Sequence, residues 1–234
     1  MSNSVMITFI RHAESTDNNR SIWHGWKDAP LSYTGADQIL VSPPIYTSDL
    51  QRASDTAQAI YNYQKDPKPS FDSSELFREQ NFGLAAGRPI SMDVISSSLS
   101  WEEHAARGVY LGWYSDDDRF PEGESIKDLA ERARKGLETF VLPHVWRATE
   151  EGKTGIHIAV VSHGLCVTEL VSELLKKSAK EVRKPQVNLL NTGWIRVVVD
   201  IEGAQEGQPI DVDKGPPVLT MRVTQIKGRK PDYD

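Results

Sequence analysis

The chain has 234 residues, 38% hydrophobic and 26% charged, a balance that buries a sizeable core, excludes a disordered chain and leads to the expectation of one domain over residues 1–234. The formal net charge of −6, from 27 Lys and Arg against 33 Asp and Glu, has the wrong sign for gripping nucleic acid or an anionic membrane through bulk electrostatics; an anionic ligand would need a local cluster of cations. Cys166 is the only cysteine, so a disulfide-stapled fold is excluded and a reducing, cytoplasmic setting is expected.

No apolar window of about 18 residues spans a bilayer, and the N-terminus has neither the basic flank nor the apolar run of a signal peptide. Residues 5–10 are short, β-branched and apolar and stop at Arg11-His12, which predicts a buried strand of a parallel sheet. The next three dozen residues are polar, punctuated by Gly25, Pro30 and Gly35, and predict a long ordered loop. Over residues 48–60, Leu50, Ala53, Ala57 and Ile60 share one helical face behind Ser48 as N-cap, with Arg52 near the first turn. Residues 75–89 have no period and predict a second loop, and residues 101–114 predict an aromatic-rich helix.

Ser125 and Asp128 form a capping box that opens a helix ending near Pro143. Residues 156–162 predict a second buried strand, again ending in a histidine, His163. Gly164 follows, and then a helix over residues 165–177 with Val167, Leu170, Val171, Leu174 and Leu175 on one stripe. Residues 194–201 and 218–226 predict a final strand pair joined by a polar loop over 202–217. Alternating strands and helices give an open α/β sheet with helices on both faces, whose ligands bind at the carboxyl ends of the strands. His12 and His163 both belong at that edge.

Taken singly, each polar residue has a plain structural role open to it. A histidine after a strand is usually just hydrogen-bonded; Arg11 could be a salt-bridged strand end, Arg52 a surface arginine and Glu79 a solvated loop residue. Four segments nevertheless follow one another, each at a strand or helix edge. They are Arg11-His12-Ala13-Glu14-Ser15, Ser48-Asp49-Leu50-Gln51-Arg52-Ala53, Leu76-Phe77-Arg78-Glu79-Gln80-Asn81-Phe82-Gly83 and Val161-Ser162-His163-Gly164.

This ordered set resembles the histidine phosphatase superfamily, also called phosphoglycerate mutase-like, over about residues 5–198. The resemblance implies a three-layer α/β/α sandwich with a mostly parallel central sheet. It implies His12 as nucleophile, forming a phosphohistidine that water resolves, with Arg11, Arg52 and His163 around the transferred phosphoryl group. Asn18, Ser15 and Gly25 would add phosphate donors, and Glu79 would be the general acid for the leaving oxygen. The implied partner is a small phosphorylated substrate, with no metal and no cofactor; nucleic acid and membrane are not expected partners, and a homo-oligomer is open.

Three departures from the family pattern stand out. Ala13 replaces the glycine after the nucleophile, which is compatible with the fold if the backbone there avoids positive φ. Only residues 36–42 lie between Gly35 and Pro43-Pro44, so the helix expected there is short. The mutase branch carries Arg-His after its glutamate and a later Arg-Arg pair; here Gln80-Asn81 follow Glu79 and no Arg-Arg occurs. A phosphatase is therefore preferred over a mutase, and Phe120-Pro121-Glu122-Gly123-Glu124-Ser125 resembles the Phe-Pro-Gly-Gly-Glu-Ser turn of phosphatases in the family. A metal hydrolase using His12, Glu14, His24 and His163 lacks ligand spacing, and a non-catalytic phospho-ligand-binding module would have no need of both His12 and Glu79. Pocket-mouth candidates are His24, Lys27, Arg78, Arg88 and residues 101–114.

Overall fold

The computed structural model describes residues 4–15, 22–23, 25–26, 44–91, 99–112, 115–151, 153, 155–182, 189–202 and 218–229. Asn18, His24, Lys27, the short segment after Gly35, Trp113, Tyr114 and nearly all of the 202–217 loop lie outside them.

Six strands form one sheet in the order β3-β2-β4-β1-β5-β6. Strand β1 (Ser4–Arg11) lies between β4 (His157–Ser162), to which it is parallel, and β5 (Leu189–Ile201), to which it is antiparallel. Strands β2 (Ile45–Ser48) and β3 (Phe71–Ser74) extend the parallel part, and β6 (Leu219–Arg229) closes the antiparallel side. The sheet is mixed and mostly parallel, as the α/β reading requires.

Side-chain alternation along the central strands separates two cores. Ile10, Ile45, Ala159 and Val161 pack against Ala53, Ala57 and Ile60 of α1 (Gln51–Asn62) on one face. Ile7, Phe9, Ile158 and Val160 face the other way, toward α3 (Ile126–Gly136), α4 (Leu142–Glu151) and α5 (Gly164–Leu175). Helices thus cover both faces, which gives three layers. Between β3 and α3 a small aromatic core of Phe82, Tyr110, Phe120, Trp23 and Trp101 gathers the irregular segments around α2 (Trp101–Ala106).

Four predicted elements differ from those observed. Ser48 is not a helix N-cap: it ends strand β2, and α1 starts after Leu50, whose ψ of 133° is still extended. Strand β2 replaces predicted loop, and β3 falls where no element was predicted; each has only four residues, and β3 (Phe-Asp-Ser-Ser) is a polar edge strand without an apolar signature. The helix from Trp101 stops at Ala106, with Gly108 at φ +72° beyond it. The helix from Ser125 does not end near Pro143. A π-helical turn over Leu137–Val141, closed by Leu142 N–H donating to Leu137 O, leads directly into α4, and this local break in the regular bonding pattern adjoins Pro143, which has no N–H to donate. The capping box is present as read: Ser125 accepts from Asp128 N–H and Asp128 accepts from Ser125 N–H.

Candidate active site

Strands β1 and β4 pair in register up to Arg11 and Ser162, and His12 N–H extends the ladder by donating to Ser162 O at 2.8 Å. The two histidines that follow therefore leave the sheet side by side, with ring centroids 5.1 Å apart. Both are enclosed: His12 is 4% and His163 0% exposed.

Each ring is fixed by one nitrogen. His12 Nδ1 lies 2.7 Å from Ala13 O; a carbonyl only accepts, so Nδ1 carries the proton, and in the neutral ring Nε2 presents a lone pair. His163 Nε2 lies 2.9 Å from Ser48 Oγ, which itself accepts from Leu50 N–H. The hydroxyl proton is then directed to Nε2, and Nδ1–H becomes a donor. That buried Nδ1 has no hydrogen-bond partner. Burial, followed by the charges of Arg52, His12, Arg11 and Arg132, drives the His163 pKa well below its ordinary value and keeps the ring neutral.

Three elements deliver the cations and the carboxyl. Helix α1 docks its second turn on the residue after the first histidine: Ala13 N–H donates to Thr56 Oγ1, which donates to Arg52 O. Arg52, 2% exposed, points its Nη2 to Gly25 O at 2.8 Å. Arg11 donates through Nη1 to Leu189 O, while its buried Nε has no partner, and burial lowers its pKa. The irregular start of β5 crosses over this point, with Thr192 N–H donating to His12 O.

Glu79 reaches the N-terminus of α5. Its Oε1 accepts from Cys166 N–H at 3.1 Å and Gln80 N–H at 3.0 Å, and its Oε2 accepts from Leu165 N–H at 3.3 Å. The free N–H groups at the start of α5, a place that suits an anion, are thus taken by the chain's own carboxyl group. Gly164 lies beside both side chains: a β-carbon there would be 3.9 Å from both Arg11 Nε and Glu79 Oε2.

The structure brings Arg11, His12, Arg52, Glu79 and His163 to one sheet edge. Ser15 is buried three residues beyond His12, and Gly25, at φ +49°, accepts from Arg52 through its carbonyl. Ala13 is fully buried and is not among the residues at positive φ, so its methyl group replaces glycine without backbone strain. Arg78 pairs with Asp49 at 2.5 Å and stacks on Trp26. Sequence reading assigned Ser48 to a helix cap and passed over Arg132, which binds the segment that carries Glu79. The one signal for Arg132 was its place eight residues after Glu124 on the capped helix. Among the described residues, no three His, Cys, Asp or Glu side chains group as metal ligands, and no helix is long and apolar enough to cross a membrane.

Two arginines, two histidines and a carboxyl at the carboxyl edge of a mostly parallel sheet make a donor-rich cluster suited to an oxyanion. Residues 7–206 match the histidine phosphatase superfamily (branch 1), and the chain belongs to that superfamily. It is similar to a phosphoglycerate mutase of Schizosaccharomyces pombe, 25% identical over 193 residues that cover 78% of this chain and 85% of that one. A probable phosphoglycerate mutase of Yersinia enterocolitica is 29% identical over 185 residues, covering 73% and 75%. Among solved structures, a mycobacterial glucosyl-3-phosphoglycerate phosphatase shares the fold with a TM-score of 0.63 at 19% identity, covering 97% of this chain and 100% of that one. A Bacillus anthracis phosphoglycerate mutase superposes with a TM-score of 0.60 at 20% identity, covering 95% and 93%.

Proposed function

We propose that the protein is a phosphatase that hydrolyses a small phosphomonoester through phospho-His12, without a metal or a cofactor. The observation that carries this reading is the pair of buried donors, His163 Nδ1 and Arg11 Nε, that have no hydrogen-bond partner beside His12. Buried polar groups are nearly always satisfied, and a phosphoryl group supplies acceptor oxygens to both. His12 Nε2 attacks phosphorus as the P–O bond to the leaving group breaks. Arg11, Arg52 and neutral His163 bind the equatorial oxygens, whose charge peaks in the transition state. Glu79 gives the leaving oxygen its proton. Water then attacks the phosphorus of phospho-His12 while the Glu79 carboxylate takes up its proton, and the N–P bond breaks to release phosphate and restore the imidazole.

The relatives' names supply a second reading, phosphoglycerate mutase-type transfer. Phosphatase is favoured because the two residues after Glu79 are amides engaged in the loop: Gln80 Nε2 donates to Glu124 O, and Asn81 Oδ1 accepts from Gly83 N–H. Neither offers a cation to a substrate carboxylate.

Brief exposure to ³²P-labelled substrate should leave acid-labile, base-stable label on the wild type and none on His12→Ala. Full activity of His12→Ala, or loss of wild-type activity in EDTA, would overturn the proposal. Ranking phosphoglycerates, phosphorylated sugars, nucleotides and prenyl phosphates by kcat/KM, with product analysis for transfer against hydrolysis, separates the two readings.

A further inference from the structure

Residues 75–81 carry Glu79 and contain only one short 3₁₀ turn, Glu75–Phe77. Their carbonyls therefore lack ladder partners, and where such a segment is partly buried it must find them elsewhere. Most of them come from one side chain. Arg132 of α3 donates from Nη1 to the carbonyls of Arg78 at 2.9 Å, Leu76 at 3.2 Å and Glu75 at 3.3 Å, and from Nη2 to Glu79 O at 2.9 Å. Its Nε and Nη2 also grip both carboxylate oxygens of Glu124 at 2.8 Å. Glu124 Oε2 in turn accepts from Asn81 N–H at 2.9 Å. The Glu79 carbonyl takes a second bond from Trp26 Nε1 at 2.7 Å.

The guanidinium thus engages donors on all three of its nitrogens, and the main chain is held on both sides of Glu79. Arg132 and Glu124 are only 12% and 18% exposed; a pair so enclosed is costly to bury unless its remaining bonds are made, and here they are made to this one segment. Lysine carries the charge but not the planar fork.

We infer that Arg132, oriented by Glu124, is a positioning residue that holds the Glu79 carboxyl between the α5 N-terminus and Arg11. The inference rests on the phosphatase reading in so far as Glu79 is the proton donor. A leaving group that needs no proton, such as p-nitrophenolate, is indifferent to Glu79, whereas an alkoxide depends on it.

The test uses the full chain as wild type, Arg132→Lys, Glu79→Gln and the double variant, with p-nitrophenyl phosphate and β-glycerophosphate as substrates. Arg132→Lys should lower kcat on β-glycerophosphate about tenfold more than on p-nitrophenyl phosphate with KM little changed, and should add no further loss in the Glu79→Gln background. Equal losses on both substrates, or additive losses in the double variant, would overturn the inference. Should Arg132→Lys fail to fold, Glu124→Gln must give the same substrate-selective loss. Amide exchange over residues 75–83 is read in parallel, with Arg132→Lys expected to speed it at least about tenfold while α5 stays protected. Unchanged protection there overturns the positioning role even in an enzyme without phosphatase activity, whereas absence of turnover and of His12 label in the wild type overturns the phosphatase reading alone.

Discussion

The Ser48 hydroxyl accepts from Leu50 N–H and faces His163 Nε2, so one side chain both shapes the strand-to-helix turn and selects the tautomer of a histidine 115 residues away. Ser48→Ala removes that bond and leaves a fully buried ring nitrogen unsatisfied, at a cost of about 1–3 kcal/mol. With no proton directed to Nε2, Nδ1 is no longer fixed as a donor. A drop in urea-unfolding free energy of that size should accompany a kcat loss of about tenfold or more; unchanged stability and kcat would show that Ser48 does not set the ring. Legibility at this scale depended on residue type. Histidines and arginines after strands announce themselves, whereas a serine that orients a ring across the fold looks like any helix cap until its partner is known. Arg132 was hidden for the same reason, since its bonds run to carbonyls 53 to 57 residues away, which no local pattern encodes.

The loop after Glu79 is locked to the turn before α3. Gly83, at φ +50°, donates its N–H to Asn81 Oδ1 and lies so close to the Phe120-Pro121-Glu122 turn that a β-carbon would come within 2.0 Å of Pro121 O. Gly83→Ala should therefore destabilise the protein by about 3 kcal/mol or more, through both backbone strain and steric displacement of the turn. Across the contact, Glu122 adopts φ +62°, a conformation that strains any residue with a β-carbon. It stands where the resembling phosphatase turn has glycine. Glu122→Gly should raise thermal stability by roughly 0.5–1 kcal/mol, and a fall in Tm would contradict this account. The capping box at Ser125 was legible because both partners lie within one turn. The four-residue strands were not: β2 is entirely buried but follows two prolines, and polar β3 is a strand because β2 offers it an edge. The π-turn that carries the chain through Pro143 also has no local signature.

Among the described residues, His163, His157 and His144 have pKa values held below the ordinary 6.5. Burial depresses His163 well below it; burial and then Arg196 bring His157 to about 4; burial and then Arg147 lower His144. Each binds its proton in the unfolded chain as pH drops through about 6.5 but only at lower pH in the fold, so unfolding takes up protons and stability declines with falling pH. Above about pH 7 these groups contribute no slope. Unfolding free energy should be level from pH 7 to 8 and fall as pH drops from 6.5 to 5, with buried His163 contributing up to about 1.4 kcal/mol per pH unit and the partly exposed His157 and His144 less, because solvent screens them. That window lies above the range in which Asp49 and Asp128, held low by hydrogen bonds from Arg78 and from Ser125 N–H, are protonated. A flat profile from pH 6.5 to 5, or an unchanged one in His157→Gln, would refute the assignment. The α/β architecture was legible at this scale because two apolar runs each ended at a histidine and the helices kept their stripes. Sheet order was not, since it is set by strand partners far apart in the chain.

Strand β1 is made first, yet both of its neighbours, β4 and β5, come from the last third of the chain. An emerging polypeptide must therefore carry an apolar strand and its histidine unpaired until more than 150 further residues have been synthesised, and such long-range closure is slow. The pocket cannot exist in any N-terminal fragment that stops short of β4. Recovery of activity during refolding consequently times one event, the insertion of β4 beside β1, more directly than any measure of helix content does.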